Sequence, residues 1–129
     1  VRCFSDIDDV VNPLVNSLFS ENAVGETINV GPDEDAISIK DLSFKILKVL
    51  NSDLDPIFVS ERPKEVKFAH CSADKARDLL NYKTSTPLDQ SIEKIAEWII
   101  SKGPKKFRYH LDIEIINDKT PKTWKDRLI

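Results

Sequence analysis

Methionine is absent from this 129-residue chain, glycine occurs only at Gly25, Gly31 and Gly103, and cysteine only at Cys3 and Cys71. Each shortage excludes something. With three scattered glycines there is no G-x-x-G-x-x-G turn at a strand-to-helix junction, so no segment lets backbone close on a dinucleotide pyrophosphate. A Y-x-x-x-K pair is missing too: Tyr82-Lys83 and Tyr109-His110 have the wrong spacing for a lysine-assisted tyrosine base. The two cysteines follow no secretory signal and are expected as separate, reduced thiols. Cys3, His70, Cys71 and His110 are potential metal ligands, yet no C-x-x-C or H-x-x-x-H spacing brings two of them to one zinc. No apolar run approaches the roughly 20 residues that a bilayer-spanning helix needs. A net charge of -3 and a pI near 5.4 argue against a nucleic-acid face. The one basic cluster, Lys102, Lys105, Lys106 and Arg108, lacks interleaved aromatics and reads as a solvated turn.

What is present suits one ordinary cytoplasmic domain: 40% apolar residues to build a core and 32% charged residues to keep it dissolved. The opening runs from Val1 straight into an apolar segment and a helix, without the loose polar lead of most termini, and reads as part of a larger protein. Val10, Val11, Leu14, Val15 and Leu18 recur at helical spacing, predicting a helix over 8–19. Pro13 leaves two starts open, one with Asn12 as cap and Pro13 first, the other at Asp8 with a bend. Thr27 to Val30 and Pro56 to Val59 are expected strands. Ser38 followed by Asp41 is an aspartate version of a capping box, opening a helix over 39–50 with Ile39, Leu42, Ile46, Val49 and Leu50 inward. Ser72 should cap a short helix with Ala73, Ala76, Leu79 and Leu80 inward. Thr86-Pro87-Leu88-Asp89 supplies a cap, a first-position proline and a first-turn acid for a helix to Ile100, with Trp98 in the core. Leu111, Ile113 and Ile115 alternate as an edge strand would, and Trp124, Leu128 and Ile129 predict a tail that docks on the body.

Four ordered segments carry a further signal. Arg2-Cys3-Phe4-Ser5-Asp6-Ile7-Asp8-Asp9-Val10-Val11 follows the pattern R-x-F-x-x-V-x-D-V-V, and Gly25-Glu26-Thr27-Ile28-Asn29-Val30-Gly31 follows G-E-x-Y-N-V-G. Arg62-Pro63-Lys64-Glu65-Val66 follows R-P-G-D-V, and Ser72 to Tyr82 follows D-x-S-K-A-x-x-L-L-G-W, ahead of a helix containing Glu97-Trp98-Ile99. In this order across residues 1 to 100 the chain resembles the carboxyl-terminal region of NAD-dependent nucleotide-sugar epimerases and dehydratases, the extended short-chain dehydrogenase/reductase family. It departs from the family at Lys64 and Asn81, both glycine positions, and at Ile28, an aromatic one.

The resemblance implies an α/β substrate-binding lobe, short strands with about four helices, whose Rossmann core is missing. Residues 1–102 would form part of that lobe, with 27–30 completing an upstream cofactor sheet, and 103–129 would be a tail docking on it. The parent would be an NAD-dependent enzyme whose cofactor and Tyr-Lys pair lie upstream; this chain would bind no NAD and catalyse nothing by itself. It would grip a UDP- or dTDP-sugar, and the missing Rossmann domain and a second copy are its other expected partners. Arg2 and Arg62 occupy the two positions whose arginines reach the substrate pyrophosphate in the family, a task suited to a guanidinium because its planar fork spans two phosphate oxygens. Asp8, Asp9 and Asn29 are expected to be structural. The alternative is a standalone binding or interaction module of the same fold without catalysis.

Overall fold

The computed structural model describes residues 1–59, 61, 64–103, 105 and 116–126. The described elements are helical: α1 (Ile7–Ser17), a 3-10 turn (Glu21–Ala23), α2 (Ile39–Val49), α3 (Asp74–Leu80), α4 (Leu88–Lys102) and α5 (Lys122–Lys125). α1 packs against α3, α3 against the 3-10 turn, and α2 against α4. The only β pairing among the described residues is an isolated antiparallel bridge between Arg2 and Ile37.

The expected strands at 27–30 and 56–59 therefore do not form as strands. A strand needs a ladder partner, and the described residues offer neither segment one. The first keeps its alternation without the ladder. Ile28 and Val30 pack on the small core of Ala73, Ala76 and Tyr82, while Thr27 and Asn29, which alternate with them, stay exposed. Ile57 and Phe58 are 89% and 70% exposed, so the second segment buries neither face. The expected edge strand at 111–115, and Leu128 and Ile129, lie outside the described residues. Trp124, on α5, is half-exposed.

α1 begins earlier than either expected start. Asp6 is its cap, its Oδ1 accepting from Asp8 N at 3.0 Å, so neither Asp8 nor Asn12 has that role. Pro13 sits inside the helix and is wholly buried. α2 follows its sequence signature: Ser38 Oγ accepts from Asp41 N at 3.0 Å and donates to Asp41 Oδ2 at 2.6 Å. Its apolar stripe, however, is covered only in part, with Leu42 and Val49 half-buried and Ile39, Ile46 and Leu50 exposed.

Of the four residues expected to face inward at α3, Ala73, Ala76 and Leu80 are buried and Leu79 is half-buried. It ends at Asn81, whose left-handed φ of 53° is tolerated by asparagine better than by most side chains. Asn16 Nδ2 and Ser20 Oγ donate to the carbonyls of Leu80 and Leu79, at 2.9 and 3.1 Å, supplying partners to backbone that the helix end leaves open. α4 starts at Leu88 with Pro87, not Thr86, at the cap position. It buries Ser91, Ile92 and Ala96 but leaves Trp98 62% exposed, so Trp98 is not a core residue. Ile95, Ile99 and Ile100 are exposed beside it, because no described element covers that face.

Candidate functional site

Three hydrogen-bonded carboxylates hold the frame. Asp9 is buried, and its Oδ2 accepts from the backbone amides of Ser85 (3.0 Å) and Thr86 (2.9 Å), while both hydroxyls of that pair donate to Oδ1. Thr86 is thus committed to Asp9, which is why it does not cap α4. Burial pushes the Asp9 carboxyl up, but these four bonds outweigh it and the net shift is downward. Asp6, equally hidden, accepts from the Ser91 hydroxyl and from Asp8 N, and these bonds hold its carboxyl below the usual range. Lys94 on α4 reaches Asp8 Oδ2 at 2.8 Å and Asp6 Oδ1 at 3.7 Å, and the bond to Asp8 raises its pKa.

The third carboxylate, Asp33, receives the Arg77 guanidinium, and its Oδ2 accepts from Ala73 N at 2.8 Å. Arg77 holds Asp33 well below the usual carboxylate range, and Asp33 in turn raises Arg77. Glu34 Oε1 (2.8 Å) and Asp74 Oδ1 (3.0 Å) complete the guanidinium's partners. A sequence reading sees Asp33 only as part of an acidic exit from a turn, since its partner lies 44 residues away. Asp6, Asp9 and Asp33 are all matched by donors, so they are structural groups and none is poised as a proton carrier.

Hollows differ in the ligand they suit. One of about 180 Å³ is lined by Phe4, Glu34, Asp35 and the 84–88 turn, and its acidic rim repels an anion. A second, of about 300 Å³, lies between the start of α1 and α4, with Ile7, Ile95 and Trp98 as its apolar wall and Asp6, Asp8 and Lys94 as its polar one. A third, of about 110 Å³, is lined by Val1, Arg2, Ile39, Glu61, Glu65, Val66 and Lys67.

Arg2 sits in the third. Its Nη1 donates to Val1 O at 2.7 Å and its Nη2 to Val66 O at 2.5 Å. Val1 N donates to Lys67 O at 2.6 Å, and Arg2 exchanges both backbone bonds with Ile37 at 2.9 Å. The first expected site residue is thereby held to the backbone of Val66, with Val1 beside it bonded to Lys67. Arg62 itself lies outside the described residues. The two carbonyl bonds use two of the five N–H donors of a guanidinium, so a two-point contact with an oxyanion would break neither. Lys67 pairs with Glu61 at 2.9 Å. The side-chain charges of Arg2 and Lys67 balance those of Glu61 and Glu65.

Among the described residues no group of three or more His, Cys, Asp or Glu is placed to hold a metal ion, and no helix is long and apolar enough to cross a membrane. Neither do the glycines suit a dinucleotide. Gly25 follows the 3-10 turn, Gly103 ends α4, and Gly31 packs on Ser5 so closely that an added Cβ would lie 3.1 Å from its hydroxyl; none opens a helix. No family model matches this chain, and no curated protein or solved structure matches it.

Proposed function

We propose that this chain is the nucleotide-sugar-binding part of an NAD-dependent nucleotide-sugar epimerase or dehydratase, the carboxyl-terminal lobe of an extended short-chain dehydrogenase/reductase. In this reading the chain grips the substrate pyrophosphate through Arg2 and Arg62 and performs no catalysis alone. The cofactor and the catalytic tyrosine belong to a Rossmann domain outside it, with which it works in the cytoplasm.

The observation that carries the reading lies where the chain departs from the family pattern. Lys64 and Asn81 replace two family glycines, and both have left-handed backbone, with φ of 59° and 53°. Glycine enters that region without steric cost, whereas a lysine does so at a penalty of roughly 1 kcal/mol. The sequence alone does not demand this conformation at Lys64. The placement of Arg2 adds to it: the side chain bonds to Val66 O, four positions after Arg62 in the sequence. In this reading Arg62 adds the positive charge that draws a pyrophosphate.

Titration calorimetry with UDP-glucose, dTDP-glucose and free glucose tests the reading. Both nucleotide sugars bind, and free glucose does not. Arg62→Lys keeps the charge but loses the planar fork; one charge-assisted bond is worth roughly 1.5 to 3 kcal/mol, so affinity falls about ten- to hundredfold. Equal binding by the Arg62→Lys variant, or no preference for the nucleotide sugars over glucose, would refute the assignment.

A further inference from the structure

Trp98, expected in the core, is 62% exposed and lines the hollow of about 300 Å³ between the start of α1 and α4. That volume stands at the lower end of the range for small-molecule sites, about 300 to 1,000 Å³. Ser91, Lys94, Ile95 and Trp98 follow one another at steps of three and four residues, so α4 carries them along one face. Ile7 and Asp8, in the first turn of α1, line the hollow from the other helix.

Of the two carboxylates here, one is spent and one is open. Asp6 gives Oδ2 to the Ser91 hydroxyl and Oδ1 to Asp8 N. Asp8 accepts on Oδ2 from Lys94 at 2.8 Å, no described residue donates to its Oδ1, and its side chain is 72% exposed. The Lys94 ammonium has three N–H donors. Asp8 takes one and Asp6 Oδ1 lies 3.7 Å away, so at least one donor is left over. Lys94 Nζ, Asp8 Oδ2 and Asp8 Oδ1 therefore form an edge that reads donor, acceptor, acceptor in a cavity walled by an indole and two isoleucines.

A planar heterocycle whose own edge reads acceptor, donor, donor complements that order, and guanine has it in O6, N1–H and N2–H. Uracil and thymine read acceptor, donor, acceptor, which sets a carbonyl against Asp8 Oδ1. Cytosine and adenine begin with a donor and meet Lys94 with the wrong sign. We propose that the hollow between α1 and α4 is a guanine-binding site, in which the base stacks on Trp98 and lies against Ile7 and Ile95, O6 accepts from Lys94, and N1–H and N2–H donate to Asp8. The base is neutral, so it leaves the Asp8–Lys94 pair in charge balance. This hollow shares no lining residue with the Arg2 cleft, and the proposal is independent of the nucleotide-sugar reading.

Titration calorimetry of the full chain with guanosine, inosine, adenosine and uridine tests it, because nucleosides carry no phosphate for an arginine to hold. Guanosine binds one to one. Inosine, which lacks the N2 amine, binds about tenfold more weakly or worse, as the loss of one hydrogen bond to a charged acceptor implies, and adenosine and uridine are weaker still. Asp8→Asn removes an acceptor and with it the preference for guanosine over inosine, whereas Trp98→Ala weakens every nucleoside. Both side chains are exposed, and the ranking of nucleosides on the unmutated protein depends on no variant folding. Arg62→Lys leaves guanosine binding unchanged whatever it does to UDP-glucose, so the two readings fail separately. No guanosine binding at millimolar concentration, equal affinity for inosine, or a guanosine preference that survives Asp8→Asn would overturn the assignment.

Discussion

Residues 6–17, 28–31 and 73–96 come together in one seam, and among the described residues they contain every buried one: Asp6, Asp9, Pro13, Gly31, Ala73, Ala76, Leu80, Tyr82, Ser91, Ile92 and Ala96. The stretch from Asp53 to His70 has an apolar share to match, with Leu54, Ile57, Phe58, Val59, Val66 and Phe68, and its described residues bury none of them. Apolar content therefore does not separate the two regions. The difference is that the seam brings together elements with complementary polar ends. Asp9 receives the amides that open the way into α4, Asp6 takes a hydroxyl from α4 itself, and Asn16 and Ser20 serve the carbonyls that end α3. Small residues at Ala73, Ala76 and Ala96 then let the backbones approach. In the 53–70 stretch Val1 and Arg2 bond the backbone near its end, and the large apolar side chains of its described residues are exposed.

The contrast makes its largest claim at Asp9. Replacing it by asparagine keeps the shape but turns a donor amide towards groups that are themselves donors. Leaving buried donors without acceptors costs about 1 to 3 kcal/mol each, so Asp9→Asn should destabilise by about 2 to 4 kcal/mol in urea unfolding. A loss under about 0.5 kcal/mol would mean that the seam is held by packing alone.

Acid should weaken the seam next. Asp6, Asp9, Asp33 and Glu34 all have carboxyls held below their ordinary values in the folded protein. The unfolded chain binds protons first as pH falls, so their stabilisation is complete above about pH 5 and drains away below about pH 4. Unfolding followed from pH 7 to pH 3 should show a plateau and then a decline, and a stability that rose on acidification would reverse the sign argued here. At the alkaline end, burial holds the Cys3 thiol and the Tyr82 hydroxyl neutral, so stability declines again as the pH climbs past their ordinary values.

The smallest effect on folding belongs to the exposed stretch. Ile57→Ser with Phe58→Ser should change unfolding by no more than about 0.5 kcal/mol, because neither side chain leaves a packed environment. The same pair should reduce concentration-dependent association in sedimentation, since both residues belong to an uncovered apolar surface. A large loss of stability would show that this stretch is packed in solution, and the comparison between regions would fail.

Local chemistry in the sequence determined the helices and some of their ends. Ser38 with Asp41 opens α2, the alanine and leucine spacing of 73–80 marks the buried face of α3, and Pro87 with Asp89 announces the start of α4 to within a residue. Such signals are readable because cap, turn and stripe act within a few residues. What only the tertiary structure decided depends on partners far along the chain. Asp6 caps α1 and takes the Ser91 hydroxyl, while Lys94 pairs with Asp8; Thr86 binds Asp9, 77 residues away, instead of capping; Asp33 finds Arg77 and Ala73. Thr27 to Val30 and Pro56 to Val59 have the composition of strands, but a ladder is a property of two segments, and neither carries its second within itself. Trp98 likewise has the look of a core residue and stands exposed, since burial is conferred by the covering surface and not by the side chain. Arg2 was legible as a candidate from its motif; that it is held to Val66, with Val1 bonded to Lys67, depends on partners more than sixty residues away, which no local rule encodes.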